Sequence, residues 1–152
     1  MDIFASPETD FDERMVLNKF QFCDRKLWLD KTIEPEIGRQ FIEKIQFWNA
    51  EDVFNQTPKE ERIPIQIYID TPGGDLTTTM SIVDAIEASK TPVYTIVTGT
   101  AYSGGFFIGI AGHKRFGYKS STYLFHEGSG AFAGDAHKLC QQADFYRKIL
   151  LR

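Results

Sequence analysis

"TPVYTIVTGTAYSGGFFIGIAG", residues 91–112, carries the strongest structural signal in the sequence. Its first half is rich in β-branched and aromatic residues, which favour a β-strand. Its second half is an apolar run that predicts a buried helix over 106–111. Ser103 stands between the two halves among small residues, so the segment predicts a strand that turns sharply into a helix.

A second unit of the same kind precedes this one. The segment "IPIQIYID" over 63–70 is typical of a buried strand, and Asp75 is well placed to cap the helix that follows. One face of that helix is predicted to carry the apolar residues Leu76, Met80, Val83 and Ile86.

The flanking sequence adds elements on both sides. Upstream, a short strand is predicted around Lys26–Leu29, followed by a helix with Pro35 in its first turn. That helix has an apolar stripe of Ile37, Phe41, Ile45 and Trp48. Downstream, "STYLFHE" over 121–127 predicts another short strand, and a final helix is predicted to run to the last residue. This order predicts an α/β fold of parallel βαβ units with right-handed crossovers.

The composition indicates one soluble globular domain. The 152 residues carry a net charge of −4 and a pI of about 5.4, which argues against nucleic acid as the main partner. The N-terminus has no apolar signal region, and the longest apolar stretch is far too short to span a membrane. The two cysteines, Cys23 and Cys140, are predicted to be reduced and mostly buried, and a cytoplasmic location is expected.

Ser103 is the first candidate for chemistry. Ala101 and Gly105 lie two residues to either side of it, so the pattern small-x-Ser-x-Gly is one substitution away from the nucleophile elbow of serine hydrolases. Such a turn exposes the serine hydroxyl, and the amides that begin the next helix, first that of Gly104, can stabilise an oxyanion. Serines also commonly cap helices, so this motif alone leaves a structural role open.

Two further segments are predicted to end at the same edge of the sheet. "DTPGGD" over 70–75 follows a strand, and its glycines allow the backbone to present amide groups, although a plain turn is the alternative. His126 ends the strand after Ser103, where a base can accept the serine proton, although a lone histidine there is more often structural. His113 and His137 are predicted to be non-catalytic. No metal site is expected, because the histidines lack the spacing of zinc ligands.

Three motifs together resemble a known family. They are "YIDTPGGD" (68–75), "TGTAYSGGFF" (98–107) and "AGHKRFGYKSSTYLFHE" (111–127). In this order and spacing they resemble the proteolytic subunits of the Clp protease family, over roughly residues 23–152.

The resemblance implies the residue roles of a serine endopeptidase that cleaves unfolded polypeptides. Ser103 would be the nucleophile and His126 the general base. The backbone amides of Gly74 and Gly104 would form the oxyanion hole.

The resemblance also implies an architecture and an assembly. The fold would be a crotonase-like α/β spiral, with residues 1–22 as a partly disordered N-terminal arm and 23–152 as the peptidase domain. A handle helix from about Ala131 would protrude and join two rings. Each ring would have seven subunits and would bind a hexameric AAA+ unfoldase. That partner would use the ATP, so no cofactor and no membrane partner are expected for this chain.

One part of the family pattern has no counterpart in the sequence. The triad aspartate of the family lies further along than Arg152, so no triad aspartate is expected in this chain, whose C-terminus is truncated relative to the family. An orienting aspartate contributes about 10⁴ in kcat in serine proteases. A catalytically impaired structural subunit, or a fragment of a Clp-type protease, is therefore an alternative. A crotonase-like acyl-CoA enzyme is a further alternative, disfavoured because it needs a carboxylate base instead of a serine.

Overall fold

A parallel five-stranded sheet lies at the centre of the fold. The computed structural model describes residues 25–126 and, further along, residues 140, 141, 144, 145, 147 and 148. The strands are β1 (Lys26–Leu29), β2 (Ile65–Thr71), β3 (Val93–Tyr102), β4 (Lys114–Gly117) and β5 (Thr122–Leu124). They are ordered β1-β2-β3-β4, and β5 also pairs with β3. All of these pairings are parallel, which confirms the sequence prediction.

Within residues 25–126, three helices connect the strands. They are α1 (Pro35–Phe54), α2 (Leu76–Ala88) and α3 (Gly104–Ala111), and a 3-10 turn at Lys59–Glu61 precedes β2. Each helix follows one strand and leads to the next, so the predicted βαβ order is confirmed. The predicted arm over 1–22 and most of the predicted handle helix lie outside the described residues.

Local sequence determines where α1 and α2 begin. Pro35 occupies the first turn of α1, where the missing N–H leaves no hydrogen bond unmade. Asp75 caps α2, because its Oδ1 accepts hydrogen bonds from the Thr78 amide at 2.7 Å and from Thr78 Oγ1 at 2.6 Å. Both helix starts are those predicted from the sequence.

The buried face of α2 differs from the predicted one. Val83 and Ile86 are buried as expected, but Leu76 and Met80 are only half-buried. Three neighbouring positions are buried in addition, namely Thr78, Thr79 and Ile82. The reason is that α2 packs against both α1 and α3, so its buried surface is wider than one apolar stripe.

The helices cover one face of the sheet and form the core with it. Alternate side chains of β2 enter this core, because successive residues of a strand point to opposite faces: Ile65, Ile67 and Ile69. The predicted stripe of α1 joins the same core through Phe41, Ile45 and Trp48. On the opposite face of the sheet, Trp28 and Tyr68 stack with a ring-centroid distance of 4.5 Å, and Trp28 is 48% exposed.

Two features after residue 111 are not predicted correctly from the sequence. Strand β4 is missed, because its four residues are all exposed and show no alternation of apolar and polar side chains. It forms through backbone pairing with the first half of β3, from Tyr94 with Lys114 to Val97 with Gly117. The prediction of a buried thiol is wrong for Cys140, which is exposed, while Cys23 lies outside the described residues.

A buried ion pair joins the start of β1 to the end of α1. Arg25 binds Asp52 through two hydrogen bonds, Nη1 to Oδ2 at 2.8 Å and Nη2 to Oδ1 at 2.7 Å. Thr91, just before β3, donates a further hydrogen bond to Asp52 at 2.6 Å. Burial raises the pKa of Asp52, but the hydrogen bonds from Arg25 and Thr91 outweigh this effect. The pKa therefore lies below its ordinary value of 3.8.

We expect Asp52→Asn to lower the free energy of unfolding by about 3 kcal/mol at pH 7, because it removes the buried carboxylate and leaves Arg25 only the half-exposed carboxylate of Glu51, 2.8 Å from Nη2. Urea denaturation measures the difference. A depressed folded-state pKa means that the stabilisation by Asp52 is present above the unfolded pKa and is lost as the pH falls through the folded pKa. The difference between wild type and variant should therefore shrink below about pH 4.

The exposed pair Arg39–Glu43 supplies the control for this experiment, with Nη1 and Oε1 3.4 Å apart. Glu43→Gln should change the free energy of unfolding by less than about 1 kcal/mol. Equal stability of Asp52→Asn and wild type at pH 7 would contradict the role given to the buried pair.

Candidate active site

Ser103 occupies a strained turn between β3 and α3. Its backbone angles are φ 51° and ψ −117°, a left-handed conformation that residues other than glycine rarely adopt. It holds the N-cap position of α3, yet its side chain makes no capping hydrogen bond. The hydroxyl therefore does not serve as the helix cap that the sequence leaves open as an alternative. Strain of this kind persists only where the surroundings fix the backbone, and it concentrates at functional sites.

The surroundings of Ser103 hold its backbone on both sides. Its amide donates a hydrogen bond of 2.8 Å to the carbonyl of Leu124 in β5, and its carbonyl accepts one of 3.0 Å from the Phe106 amide in α3. Tyr102, the residue before it, pairs with Leu124 in the parallel register of β3 and β5. The turn is thus tied to a neighbouring strand and to the first turn of its own helix.

The glycine loop after β2 lies directly against this turn. A Cβ atom at Gly73 would lie 2.6 Å from the Tyr102 carbonyl oxygen, 2.8 Å from Ser103 Cβ and 3.0 Å from the Gly104 nitrogen. Gly73 also has φ +97°, so both space and backbone conformation require glycine. The loop approaches the serine turn by backbone alone.

Gly74 is held by a bridge to Ile33. The Ile33 amide donates to the Gly73 carbonyl and the Asp75 amide donates to the Ile33 carbonyl, both at 2.9 Å. In a parallel bridge of this form, the amide of the middle residue points away from the partner segment. The Gly74 amide therefore faces away from Ile33, and Gly74 itself is exposed.

Gly104 is the first residue of α3, so its amide has no carbonyl partner within the helix. The residue is buried, and a Cβ there would collide with Thr79 Oγ1. Because the Gly73–Gly74 loop lies against it, the structure brings together Ser103 and the two segments that carry the candidate oxyanion amides.

His126 follows β5, two residues after Leu124, whose carbonyl accepts the Ser103 amide. It is exposed. Because β3 and β5 pair in parallel, Ser103 after β3 and His126 after β5 lie at the same edge of the sheet. The side chains were predicted to meet there, and that contact stays a prediction.

The other histidine of the described residues has a structural position. His113 Nδ1 accepts a hydrogen bond of 2.9 Å from the Val93 amide, and the His113 amide donates one of 2.8 Å to the Val93 carbonyl. Val93 begins β3, whereas Ser103 follows its end, so His113 lies at the opposite end of the strand. His137 lies outside the described residues.

A cluster of three phenylalanines beside the serine turn is missed by the sequence analysis. Phe106, Phe107 and Phe125 contact one another with ring-centroid distances of 5.6–6.2 Å. Phe125, the neighbour of His126, is 62% exposed. Phe106 and Phe107 were visible in the sequence as two aromatic residues after the serine turn. The apolar pattern assigned them to a buried helix instead of to the border of a site. The cluster gives the site an apolar border.

Two kinds of feature are absent from the described part of the chain. No group of three or more His, Cys, Asp or Glu side chains is arranged to hold a metal ion. No helix there is long and apolar enough to cross a membrane.

The strain at Ser103 predicts an unusual order of stabilities. Ser103→Gly should be more stable to urea than Ser103→Ala by about 1 kcal/mol, because glycine adopts φ 51° without a Cβ clash. Ser81, inside α2, is the control, and there alanine should be more stable than glycine by about 1 kcal/mol. The same order at both positions would show that the Ser103 backbone is not strained in solution.

Comparison with known proteins gives the family. The family model described as Clp protease matches residues 13–150. The ATP-dependent Clp protease proteolytic subunit 2 of Treponema pallidum (strain Nichols) is 43% identical over 75 residues, which is 48% of this chain and 38% of that protein. The ATP-dependent Clp protease proteolytic subunit of Leuconostoc citreum (strain KM20) is 32% identical over 138 residues, 84% of this chain and 65% of that protein. The chain thus spans less than two thirds of the length of each relative.

The family model matches most of the residues of this chain, and the parallel α/β fold is consistent with that match. The chain belongs to the Clp protease family.

Proposed function

We propose that the chain is a serine-type endopeptidase subunit of an ATP-dependent Clp protease, and that it cleaves unfolded polypeptides. The observation that carries this proposal is the backbone of Ser103: it is held at φ 51° at the N-terminus of α3, and its side chain is not used as a helix cap. A strained strand-to-helix turn of this kind exposes the hydroxyl of a catalytic serine. The names of both relatives agree with the proposal.

In the first half of the reaction, Ser103 Oγ attacks the carbonyl carbon of the substrate peptide bond. His126 takes the hydroxyl proton as general base and becomes positively charged. The negative charge that develops on the substrate oxygen is stabilised by the amides of Gly74 and Gly104, since preorganised amides act most strongly where charge appears. His126 then gives its proton to the departing amine, and an acyl-enzyme ester on Ser103 is left.

In the second half, water replaces the amine. His126 accepts a proton from the water, which attacks the ester carbonyl, and the same two amides stabilise the second oxyanion. Collapse of this intermediate releases the carboxylic acid product, and Ser103 recovers its proton from His126. No aspartate of this chain is assigned as the group that orients His126.

We further propose an assembly with the features that the resemblance implies: seven-membered rings around a degradation chamber, and an AAA+ unfoldase that hydrolyses the ATP. The support is a run of exposed apolar residues beside the serine turn. Tyr123, Leu124 and Phe125 follow one another in and after β5, and they are 52%, 46% and 62% exposed. Exposed apolar surface of this kind is typical of interfaces between proteins. The cytoplasmic location stays a prediction.

The two alternatives differ in what they predict for Ser103. An impaired structural subunit would keep the fold without an activated serine, whereas an acyl-CoA enzyme would bind thioesters and not react through the serine. Neither is favoured by the comparisons, in which both relatives have the names of proteolytic subunits.

A fluorophosphonate probe followed by intact mass tests the proposed function. We expect one adduct on the chain, located at Ser103, because only an activated serine reacts at a useful rate. Ser103→Ala should abolish the adduct. His126→Ala should slow its formation by about 10²- to 10⁴-fold, the usual contribution of a general base.

Ser81→Ala is the matched control, since Ser81 is an exposed serine on α2 whose hydroxyl donates to the Thr77 carbonyl at 2.9 Å. It should leave the adduct unchanged. A folded wild-type chain that gains no adduct would reject the peptidase proposal in favour of a structural subunit. An adduct that persists in Ser103→Ala would reject Ser103 as the nucleophile.

A further inference from the structure

The pairing of β2 with β3 is irregular just before the serine turn. Ile69 pairs with Val97, but Thr71 pairs with Ala101. One residue of β2, Asp70, therefore faces three residues of β3, which form a bulge over 98–100. Bulges bend a strand and redirect the side chains that follow, and they are common beside active sites.

The other edge of β3 changes partner at the same bulge. Before the bulge, Tyr94 to Val97 pair with β4, and from the last residue of the bulge onward, Thr100 to Tyr102 pair with β5. The bulge thus fixes two things at once. It sets the direction in which β3 enters Ser103, and it sets the position of β5, which leads to His126.

The Asp70 carboxylate holds this bulge. Its Oδ1 accepts a hydrogen bond from the Thr100 amide at 2.8 Å and another from Thr100 Oγ1 at 2.9 Å. In a regular ladder a main-chain carbonyl would accept the amide, so here a side chain takes the place of the neighbouring strand. The bonds from the Thr100 amide and hydroxyl keep the pKa of Asp70 below its ordinary value.

Gly99 allows the carboxylate to reach this position. A Cβ atom at Gly99 would collide with the Asp70 carboxylate, so the close approach requires a glycine there. A second tie lies beside it, where Thr98 Oγ1 donates to the Ile69 carbonyl at 3.2 Å. The bulge is therefore a specific structure and not a frayed strand end.

We infer that Asp70 is a positioning residue for the catalytic serine: its carboxylate oxygen substitutes for a strand acceptor and holds the 98–100 bulge, which aims Ser103 and the segment that leads to His126. The inference rests on the proposed function for the roles of Ser103 and His126. Asp70 does not touch the reacting atoms. It acts through Thr100, three residues before the nucleophile.

Two variants separate the geometry of the hydrogen bonds from simple loss of a charge. Asp70→Asn keeps an Oδ1 acceptor and can keep both bonds to Thr100, whereas Asp70→Ala removes them. Gln66→Ala is the control, because Gln66 lies on the same face of β2 and its side-chain oxygen accepts a hydrogen bond of 2.8 Å from Tyr68 OH.

Peptidase kinetics and the fluorophosphonate rate give the first readout. We expect Asp70→Ala to lower kcat and the labelling rate by about 10²-fold with little change in KM, since a misplaced nucleophile loses rate and not substrate binding. Asp70→Asn should stay within about 3-fold of wild type, and Gln66→Ala should match wild type. A wild-type rate in Asp70→Ala would overturn the inference, and so would equal losses in Asp70→Ala and Asp70→Asn.

Hydrogen exchange of the Thr100 amide gives a second readout that needs no activity. Its exchange should accelerate at least about 10-fold in Asp70→Ala but not in Asp70→Asn, because the amide loses its acceptor only in the first. Unchanged exchange in Asp70→Ala would refute the inference even if the wild type fails to react with the probe. An inert wild type with the expected exchange pattern would reject the proposed function alone.

A third variant covers the case in which Asp70→Ala does not fold. Thr100→Val removes the hydroxyl donor and keeps the amide, so it should lower kcat by about 3- to 10-fold with KM unchanged. A Thr100→Val protein with wild-type kcat, together with an impaired Asp70→Asn, would overturn the inference without the alanine variant.

Discussion

The carboxyl ends of β2 and β3 lie so close together that only glycine fits between them, and the rest of the site depends on this approach. At Gly73, a side chain would meet both the Tyr102 carbonyl and the Ser103 side chain. The two backbones meet here because β2 and β3 are parallel neighbours whose carboxyl ends lie at the same edge of the sheet. The contact therefore explains why a site with few polar side chains is built mainly from main-chain groups.

The same approach explains how a strained residue is tolerated. An unfavourable φ persists only if the contacts around it leave no alternative conformation. The Gly73 amide donates to Thr71 Oγ1 at 3.1 Å, and that hydroxyl donates to the Lys31 carbonyl at 2.7 Å. The Leu124 carbonyl accepts the Ser103 amide on the other side of the turn. The turn is therefore held between the Gly73 loop and β5. The backbone geometry of Ser103 thus depends on the Gly73 loop, β3, α3 and β5 together, and not on the local sequence alone.

Much of the fold could be predicted from the sequence. Long apolar patterns, such as 63–70 and the stripe of α1, show which residues must face the core. Pro35 in the first turn of α1 and the cap Asp75 of α2 act within one turn, so the sequence predicted both helix starts equally well. Strand β4 was not, since its pairing is decided by the main chain of β3 and leaves no pattern in its own side chains.

For the site as well, local features could be predicted from the sequence, and features that depend on strand pairing could not. The small residues around Ser103 predicted a sharp turn, and the fold has one. The bulge opposite Asp70 was invisible, because it depends on a register between strands that are far apart in the sequence. The roles of Ser103, His126, Gly74 and Gly104 in catalysis follow from resemblance and position, and they stay predictions.

The buried cluster around Asp52 has a consequence for the way the chain folds. Asp52 is 27 residues from Arg25 and 39 from Thr91, and it contacts both, although β1 and β3 are not neighbours in the sheet. The last turn of α1 thus connects two strands that backbone pairing does not join. Opening of that turn would release the start of both strands together, so the three segments form one cooperative unit. Contacts between residues so far apart in the sequence also raise the contact order of the domain, and a higher contact order goes with slower folding.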